Sequence, residues 1–203
     1  MATKDEILTR LLKEENYVSG EELARQTGVS RAAVWKAIKS LKKSGYDIEG
    51  VTKCGYKLKQ NNSLVTAEGV KALLEKDIEV THFDTVDSTN TYCKRLLADG
   101  KQGEFLVTAA KQTAGRGRQG KSFYSPSETG IYFSLVIRPD TSLQNAVTAT
   151  TAAAVAVCKA IEKTTDLKPK IKWVNDVYLN GKKVCGILTE ATTDFESGTV
   201  DSV

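Results

Sequence analysis

A chain of 203 residues with 40% hydrophobic and 27% charged side chains has room for a small module beside a medium one, and its composition excludes a disordered or fibrous polymer. The net charge of +4 lies entirely in the first third, where residues 1–62 hold 12 Lys and Arg against 8 Asp and Glu, so a polyanion partner is expected for that part alone. Four scattered cysteines and a single histidine speak against a disulfide framework and a zinc cluster.

The N-terminus is charged, and the apolar run 143–161 is interrupted by Thr, Asn, Gln and Lys. It reads as a buried helix and not as a membrane span, so a cytoplasmic protein without a membrane partner is expected.

Along the chain, Ile7, Leu8, Leu11 and Leu12 recur on one helical face and predict an amphipathic helix over 4–15. Ser19 with Glu22 has capping-box spacing for a second helix ending near Thr27. Gly28 then supplies a tight turn, Val29 a buried contact, and Ser30 a cap for a third helix in which Val34, Ala37, Ile38 and Leu41 share a face. This is helix-turn-helix spacing. The opposite face carries Arg31, Ala32, Trp35, Lys36, Lys39 and Lys43, small, aromatic and basic side chains suited to groove and phosphate contacts. Two strand-like segments, 46–51 and 56–59, flank Lys53 and read as a basic wing.

The DNA-contact candidates are therefore Ser30, Arg31, Ala32, Trp35, Lys36, Lys39 and Lys53. A solvated lysine face on a protein-docking bundle is the alternative, and Trp35 has two readings, contact with DNA or packing under the wing.

The polar segment 60–65 marks a linker, giving a boundary near 62 and two domains, 1–62 and 63–203, with Thr66 starting a helix over 67–74. Asp87, Ser88, Thr89 and Asn90 form a helix-start cluster whose short polar side chains can also hold a small ligand. In the run 110–126, Gly115, Gly117 and Gly120 match the letters of a dinucleotide pattern, but they follow Lys111 and Gln112 and precede an aromatic, Pro-containing stretch, the wrong context for that site. Glycines interleaved with Arg116 and Arg118 instead describe a loop that clasps a phosphate, or, alternatively, a short RNA-binding segment. Asn180-Gly181 between two β-rich stretches predicts a hairpin with a primed turn, and simple alternation puts Lys183, Cys185 and Ile187 on one face.

Taken together, DSTN at 87–90, Gln112 with GRGRQG at 115–120, SP at 125–126 and KWVNDVYLNGKKVCGIL at 172–188 resemble the biotin-protein ligase family. SRAAVWKAIKSLKKSGYDIEGVTKCGYKL at 30–58 is similar to the winged helix of the bifunctional ligase-repressors of bacteria. The resemblance implies an α+β fold: an N-terminal winged helix-turn-helix, then a ligase catalytic domain with a mixed, largely antiparallel sheet flanked by helices.

It also implies a two-step reaction, in which biotin and ATP form biotinyl-adenylate and a lysine of a biotin carboxyl carrier domain then takes the biotinyl group. By motif position, Ser88, Thr89, Asn90, Gln112, Gly115, Arg116, Lys183 and Gly186 would hold biotin. Arg116, Gly117, Arg118, Phe123 and Asn175 would hold the adenylate, and Lys183, Arg118 and Asp176 would be the catalytic groups. Mg²⁺ would accompany the triphosphate near Asp176, with no site made by protein alone. The adenylate-filled form would dimerise on operator DNA as a biotin-responsive repressor.

Val174 stands where the family has proline, a mild change at a strand position. The stop at Val203 falls short of the family's G-x-N strand and its C-terminal barrel, so an incomplete catalytic domain is expected. The rival functions are a DNA-binding regulator that cannot complete the chemistry and a lipoate-type acyl ligase.

Overall fold

The computed structural model describes residues 3–59, 65–138, 143–193 and 200–203, with only the backbone at 143–147, 193 and 201. Apart from residue 65, the expected linker lies outside the described residues. Contacts divide the chain into two compact units, Met1–His82 and Phe83–Val203.

The first unit opens with α1 (Thr3–Lys13), α2 (Gly20–Thr27) and α3 (Arg31–Lys43), followed by the antiparallel hairpin of β1 (Ile48–Val51) and β2 (Gly55–Leu58). The starts of α2 and α3 each follow from a local hydrogen bond. Ser19 accepts from the Glu22 N–H at 3.0 Å and Ser30 from the Ala33 N–H at 3.2 Å, satisfying donors that a helix start leaves orphaned. The Glu22 carboxylate does not turn back to close the reciprocal half of a capping box; it binds Arg25 and Gln26. Gly28 ends α2 in the left-handed region at φ 66° and donates to the Ala24 carbonyl, the standard role of glycine at a helix end.

The apolar stripes meet in one core of Ile7, Leu8, Leu11, Leu23, Val34, Ile38, Leu41 and Ile48, with Val29 and Tyr56 packed against it. The hairpin is tied back by a pair of 2.9 Å hydrogen bonds between Val18 and Tyr56. Gly55 makes this approach possible: its φ is +113°, and a Cβ there would lie 2.1 Å from the Val18 carbonyl oxygen.

The short helix α4 (Ala67–Leu73) belongs to this unit. It is capped by Thr66 and packs against α1, with Lys4 donating to Glu68 at 3.2 Å and the Tyr46 hydroxyl bonded to Thr66. The unit therefore runs to His82, past the boundary near 62 expected from composition, because packing against α1 and Tyr46 outweighs the polar linker in deciding where the chain divides.

β3 (Glu79–Phe83) crosses the division, and its last residue, Phe83, falls in the second unit. β4 (Phe105–Ala109) pairs antiparallel with β5 (Tyr132–Val136). α5 (Thr89–Ala98) covers one face through Cys93, Tyr92, Leu96 and Leu97 against Phe105, Val107 and Val136. Burial pushes the Cys93 thiol up to about 11, so it is an apolar core residue in function.

A second antiparallel sheet has the order β6 (Lys170–Lys172), β7 (Asp176–Leu179), β8 (Lys182–Gly186). Its β7–β8 turn is the expected two-residue type, with Asn180 at φ 49° and Gly181 at φ 76°. β9 (Thr192–Thr193) and β10 (Val200–Ser202) pair nearby in sequence, and Val203 exchanges two backbone hydrogen bonds with Ile137.

The structure departs from three sequence expectations. The helix α6 (Leu143–Thr164) packs against β6 and β7, yet Ala154 is the only fully buried side chain among those described on it, and Val155 is 42% exposed. Its apolar run consists largely of Ala and Thr, which give length without a broad stripe of large side chains to bury. Val174 sits in the turn between β6 and β7 and not on a strand. The register shifts between Val177 and Tyr178, so Lys183 opposes Tyr178 while Cys185 opposes Val177. That bulge breaks the alternation, and Lys183 and Cys185 do not share a face. Among the described residues no helix is long and apolar enough to cross a membrane.

Candidate active site

The site grows from the start of α5. Ser88 is the N-cap and accepts from the Thr91 N–H at 3.4 Å; Ser88 and Thr89 are 2% and 4% exposed. Asp87, just outside the helix, accepts from both terminal nitrogens of Arg95 at 2.7 and 3.0 Å and so anchors the helix start to a later turn of the same helix. Val86 bridges in parallel to Gln112, which carries Gln112 to the helix end. There its Oε1 accepts from the Thr89 N–H at 2.9 Å and from the Thr89 hydroxyl at 3.2 Å, and its Nε2 donates to Ser125 Oγ at 2.9 Å.

On β5 the single hydroxyl proton of Ser134 is shared between two acceptors, Thr89 Oγ1 at 2.8 Å and Asn90 Oδ1. Asn90 Nδ2 donates to the Leu188 carbonyl at 3.3 Å and to Glu190 Oε2 at 3.1 Å. Thr89, Asn90 and Gln112 thus form one hydrogen-bonded wall with Ser125, Ser134 and Glu190. Sequence reasoning missed the roles of these last three; the available signal was Ser134 alternating with the core-facing Val136.

The glycine loop folds back on itself as a narrow hairpin. Phe123 N–H donates to the Gly115 carbonyl at 2.8 Å, and Gly117 N–H to the Lys121 carbonyl at 2.7 Å. A Cβ at 115 would lie 2.4 Å from the Phe123 carbonyl oxygen and 2.7 Å from Ser125 Oγ, so glycine is required by close approach. The loop has no helix N-terminus behind it beyond the single 3-10 turn Arg118–Gly120, which removes the dinucleotide reading. Its arginines are tethered: Arg116 NH2 lies 3.7 Å from Glu190 Oε1, and Arg118 NH1 donates to Asn175 Oδ1 at 3.1 Å. Asn175 is itself oriented by donating from Nδ2 to the Ile187 carbonyl at 3.1 Å.

Beside Asn175, Asp176 Oδ1 accepts from Lys183 Nζ at 2.7 Å across the β7–β8 ladder. The ammonium also lies 5.9 Å from the centre of the Phe123 ring. Gly186 makes the space for it, since a Cβ there would stand 2.8 Å from Lys183 Cε and 3.1 Å from Phe123. Lys183 remains 39% exposed, within reach of an anion from solvent. Asn175 and Asp176 thus link Arg118 to Lys183, an arrangement able to stabilise negative charge built up between two anionic reactants. Among the described residues no group of three or more His, Cys, Asp or Glu is arranged for a metal ion.

In the first unit, Arg31, Ala32, Trp35, Lys36, Lys39 and Lys43 are all exposed on α3, and Lys53 stands exposed at the hairpin turn. Trp35 is 55% exposed with Lys39 Nζ 5.2 Å from its ring centre, which does not fit packing under the hairpin.

Fold and site together define an α+β unit with a hydrogen-bonded polar wall and an arginine-bearing glycine loop, preceded in the chain by a helix-turn-helix unit. Residues 82–201 match the model of the biotin/lipoate A/B protein ligase family, and residues 3–57 match that of an HTH domain. The chain belongs to the biotin/lipoate A/B protein ligase family.

Its curated relatives include a protein named "Bifunctional ligase/repressor BirA" from Bacillus subtilis, 38% identical over 177 residues, covering 86% of this chain and 54% of that protein. The protein of the same name from Escherichia coli is 32% identical over 185 residues, covering 91% of this chain and 57% of that one. The chain spans about half the length of the curated relatives it matches. Among solved structures, the biotin protein ligase from Aquifex aeolicus in complex with biotin and ATP has a TM-score of 0.47 at 30% identity, covering 61% of this chain and 49% of that one.

Proposed function

We propose that the chain catalyses ATP-dependent biotinylation of a carrier-protein lysine and, through its first unit, acts as a biotin-responsive transcriptional repressor. The observation that carries the chemistry is the arrangement of Lys183, Asp176, Asn175 and Arg118 in the same unit as the wall of Thr89, Asn90 and Gln112.

In the first step a biotin carboxylate oxygen attacks the α-phosphorus of ATP, and pyrophosphate leaves. Bringing two anions together requires cations where charge develops on the phosphoryl oxygens, and Arg118 and Lys183 supply them. Ser88, Thr89, Asn90, Gln112, Gly115, Arg116 and Gly186 surround the biotin ring, with Ser88 acting through its cap on α5. Gly117, Phe123 and Asn175 face the adenylate, and Asp176 holds Lys183 in place. In the second step the carrier lysine, as free amine, attacks the acyl carbon and AMP leaves.

Mg²⁺ would arrive as a counter-ion on the triphosphate and screen the phosphate charge, with the carboxylate of Asp176, beside Lys183, as the candidate to meet it. The relatives' names and the exposed basic face of α3 support the repressor half, with the β1–β2 hairpin as a wing and an adenylate-filled homodimer meeting a two-fold operator.

The test is exchange of labelled pyrophosphate into ATP by the 203-residue chain. Exchange that depends on biotin supports the reading. Exchange that depends on lipoate instead assigns the chain to the other branch of its family, and absence of both overturns the adenylation chemistry.

A further inference from the structure

Glu190 lies outside every motif used above, yet its two oxygens join two points on α5 to the glycine loop. Oε1 accepts from Lys94 on α5 at 2.5 Å and lies 3.7 Å from Arg116 of the glycine loop, while Oε2 accepts from Asn90 Nδ2 at 3.1 Å. Burial alone would raise its pKa, but hydrogen bonds from Lys94 and Asn90 and the charges of Lys94 and Arg116 hold it below the ordinary carboxylate value. The side chain is an ionised acceptor held from several sides.

An amide has two donors on one end and an acceptor on the other, so its direction is set by what faces it. The nitrogen end of Asn90 faces two acceptors, Glu190 Oε2 and the Leu188 carbonyl, and its oxygen end faces the Ser134 hydroxyl. Turning the amide over would set its oxygen against both acceptors and break two hydrogen bonds. Both donors of Asn90 are therefore consumed within the protein, and its remaining hydrogen-bonding capacity is a lone pair on Oδ1.

We infer that Glu190 is a positioning residue that fixes the Asn90 carboxamide with its oxygen toward the ligand, making Asn90 a reader of an N–H donor such as a cyclic urea. This rests on the proposed reading of the site as a biotin pocket. The same carboxylate holds Arg116, so the ring-reading wall and the loop that closes over the ligand share one anchor.

The test uses Glu190→Gln and Glu190→Asp in the full 203-residue chain, with two readouts. In pyrophosphate exchange, Glu190→Gln, whose single amide oxygen cannot serve both Lys94 and Asn90, raises KM for biotin about tenfold, the loss of one well-placed hydrogen bond, with kcat and KM for ATP little changed; Glu190→Asp, which keeps the charge, lies between it and the wild type. An unchanged biotin KM, or a fall in kcat alone, overturns the inference.

The second readout is hydrogen exchange of the Asn90 side-chain amide by ¹⁵N NMR without ligand, slow in the wild type and fast in Glu190→Gln. Equal exchange in both overturns the inference whatever the wild type does with biotin. A wild type that shows slow exchange but no use of biotin overturns the pocket reading instead.

Discussion

Lys183 and Asp176 form a 2.7 Å hydrogen-bonded ion pair across the β7–β8 ladder, and the β-bulge at 177–178 puts them on the same side of the hairpin. A regular ladder would have turned Lys183 toward the side of Cys185. The pair is partly exposed, so its weight lies in placing the ammonium more than in holding the fold.

Lys183→Ala is expected to leave the thermal midpoint within a few degrees of wild type while reducing pyrophosphate exchange by about 100-fold or more, the usual cost of losing an electrostatic stabiliser. Asp176→Asn, which keeps a hydrogen-bond acceptor but removes the charge, is expected to fall between. Melting curves and exchange rates on the same preparations check both, and full activity in Lys183→Ala would remove the central residue of the mechanism.

Gly115→Ala places a methyl group where the Phe123 carbonyl and Ser125 hydroxyl already stand, at 2.4 and 2.7 Å. The glycine loop must open, and Ser125 must give up its hydrogen bond with Gln112. Weaker biotin binding is expected, measured by titration calorimetry, with the melting of the first unit unaffected. Wild-type affinity in this variant would show that the loop's close approach is unimportant for ligand binding.

Hydrogen bonds from Arg95, followed by the Ser88 N–H, lower the pKa of Asp87 from 3.8 to about 2. A carboxyl titrating lower in the folded state than in the unfolded one adds stability above the unfolded value, and that contribution is lost as pH falls through the folded value. The destabilisation caused by Asp87→Asn should therefore be full above about pH 4 and shrink toward about pH 2. Denaturant unfolding of both proteins across that range checks it; a difference independent of pH would mean that the Asp87 charge contributes nothing.

Arg31→Ala and Lys36→Ala are expected to weaken binding to a duplex selected from a random pool. Each phosphate that is no longer neutralised should reduce the slope of log affinity against log salt by about 0.9. Fluorescence anisotropy at several salt concentrations measures this, and salt-independent binding would refute the assignment of α3 as the DNA-facing helix.

The parts legible in the sequence are those whose hydrogen bonds close within a few residues. Ser19, Ser30, Thr66 and Ser88 cap the helices that follow them, and Asn180-Gly181 makes its turn, because a cap or a primed turn depends on a side chain and its immediate neighbours. The apolar period of α1 and α3 likewise named the core of the first unit. The motif residues at 87–90, 112 and 183 were legible as a set, although their spacing alone did not say which groups they would touch.

Tertiary structure decided the rest. Glu190 meets Asn90 across 100 residues of chain and Ser134 meets it across 44, pairings that no local pattern encodes. The attachment of α4 to α1, the exposure of α6 and the side on which Lys183 emerges were settled in the same way. By itself the sequence determined where helices begin, where chains turn and which residue types were available for chemistry, since those depend on short-range sterics and hydrogen bonds. Only the packed structure chose each polar group's partner and each side chain's face, because a single bulge or a distant carboxylate redirects them at little local cost.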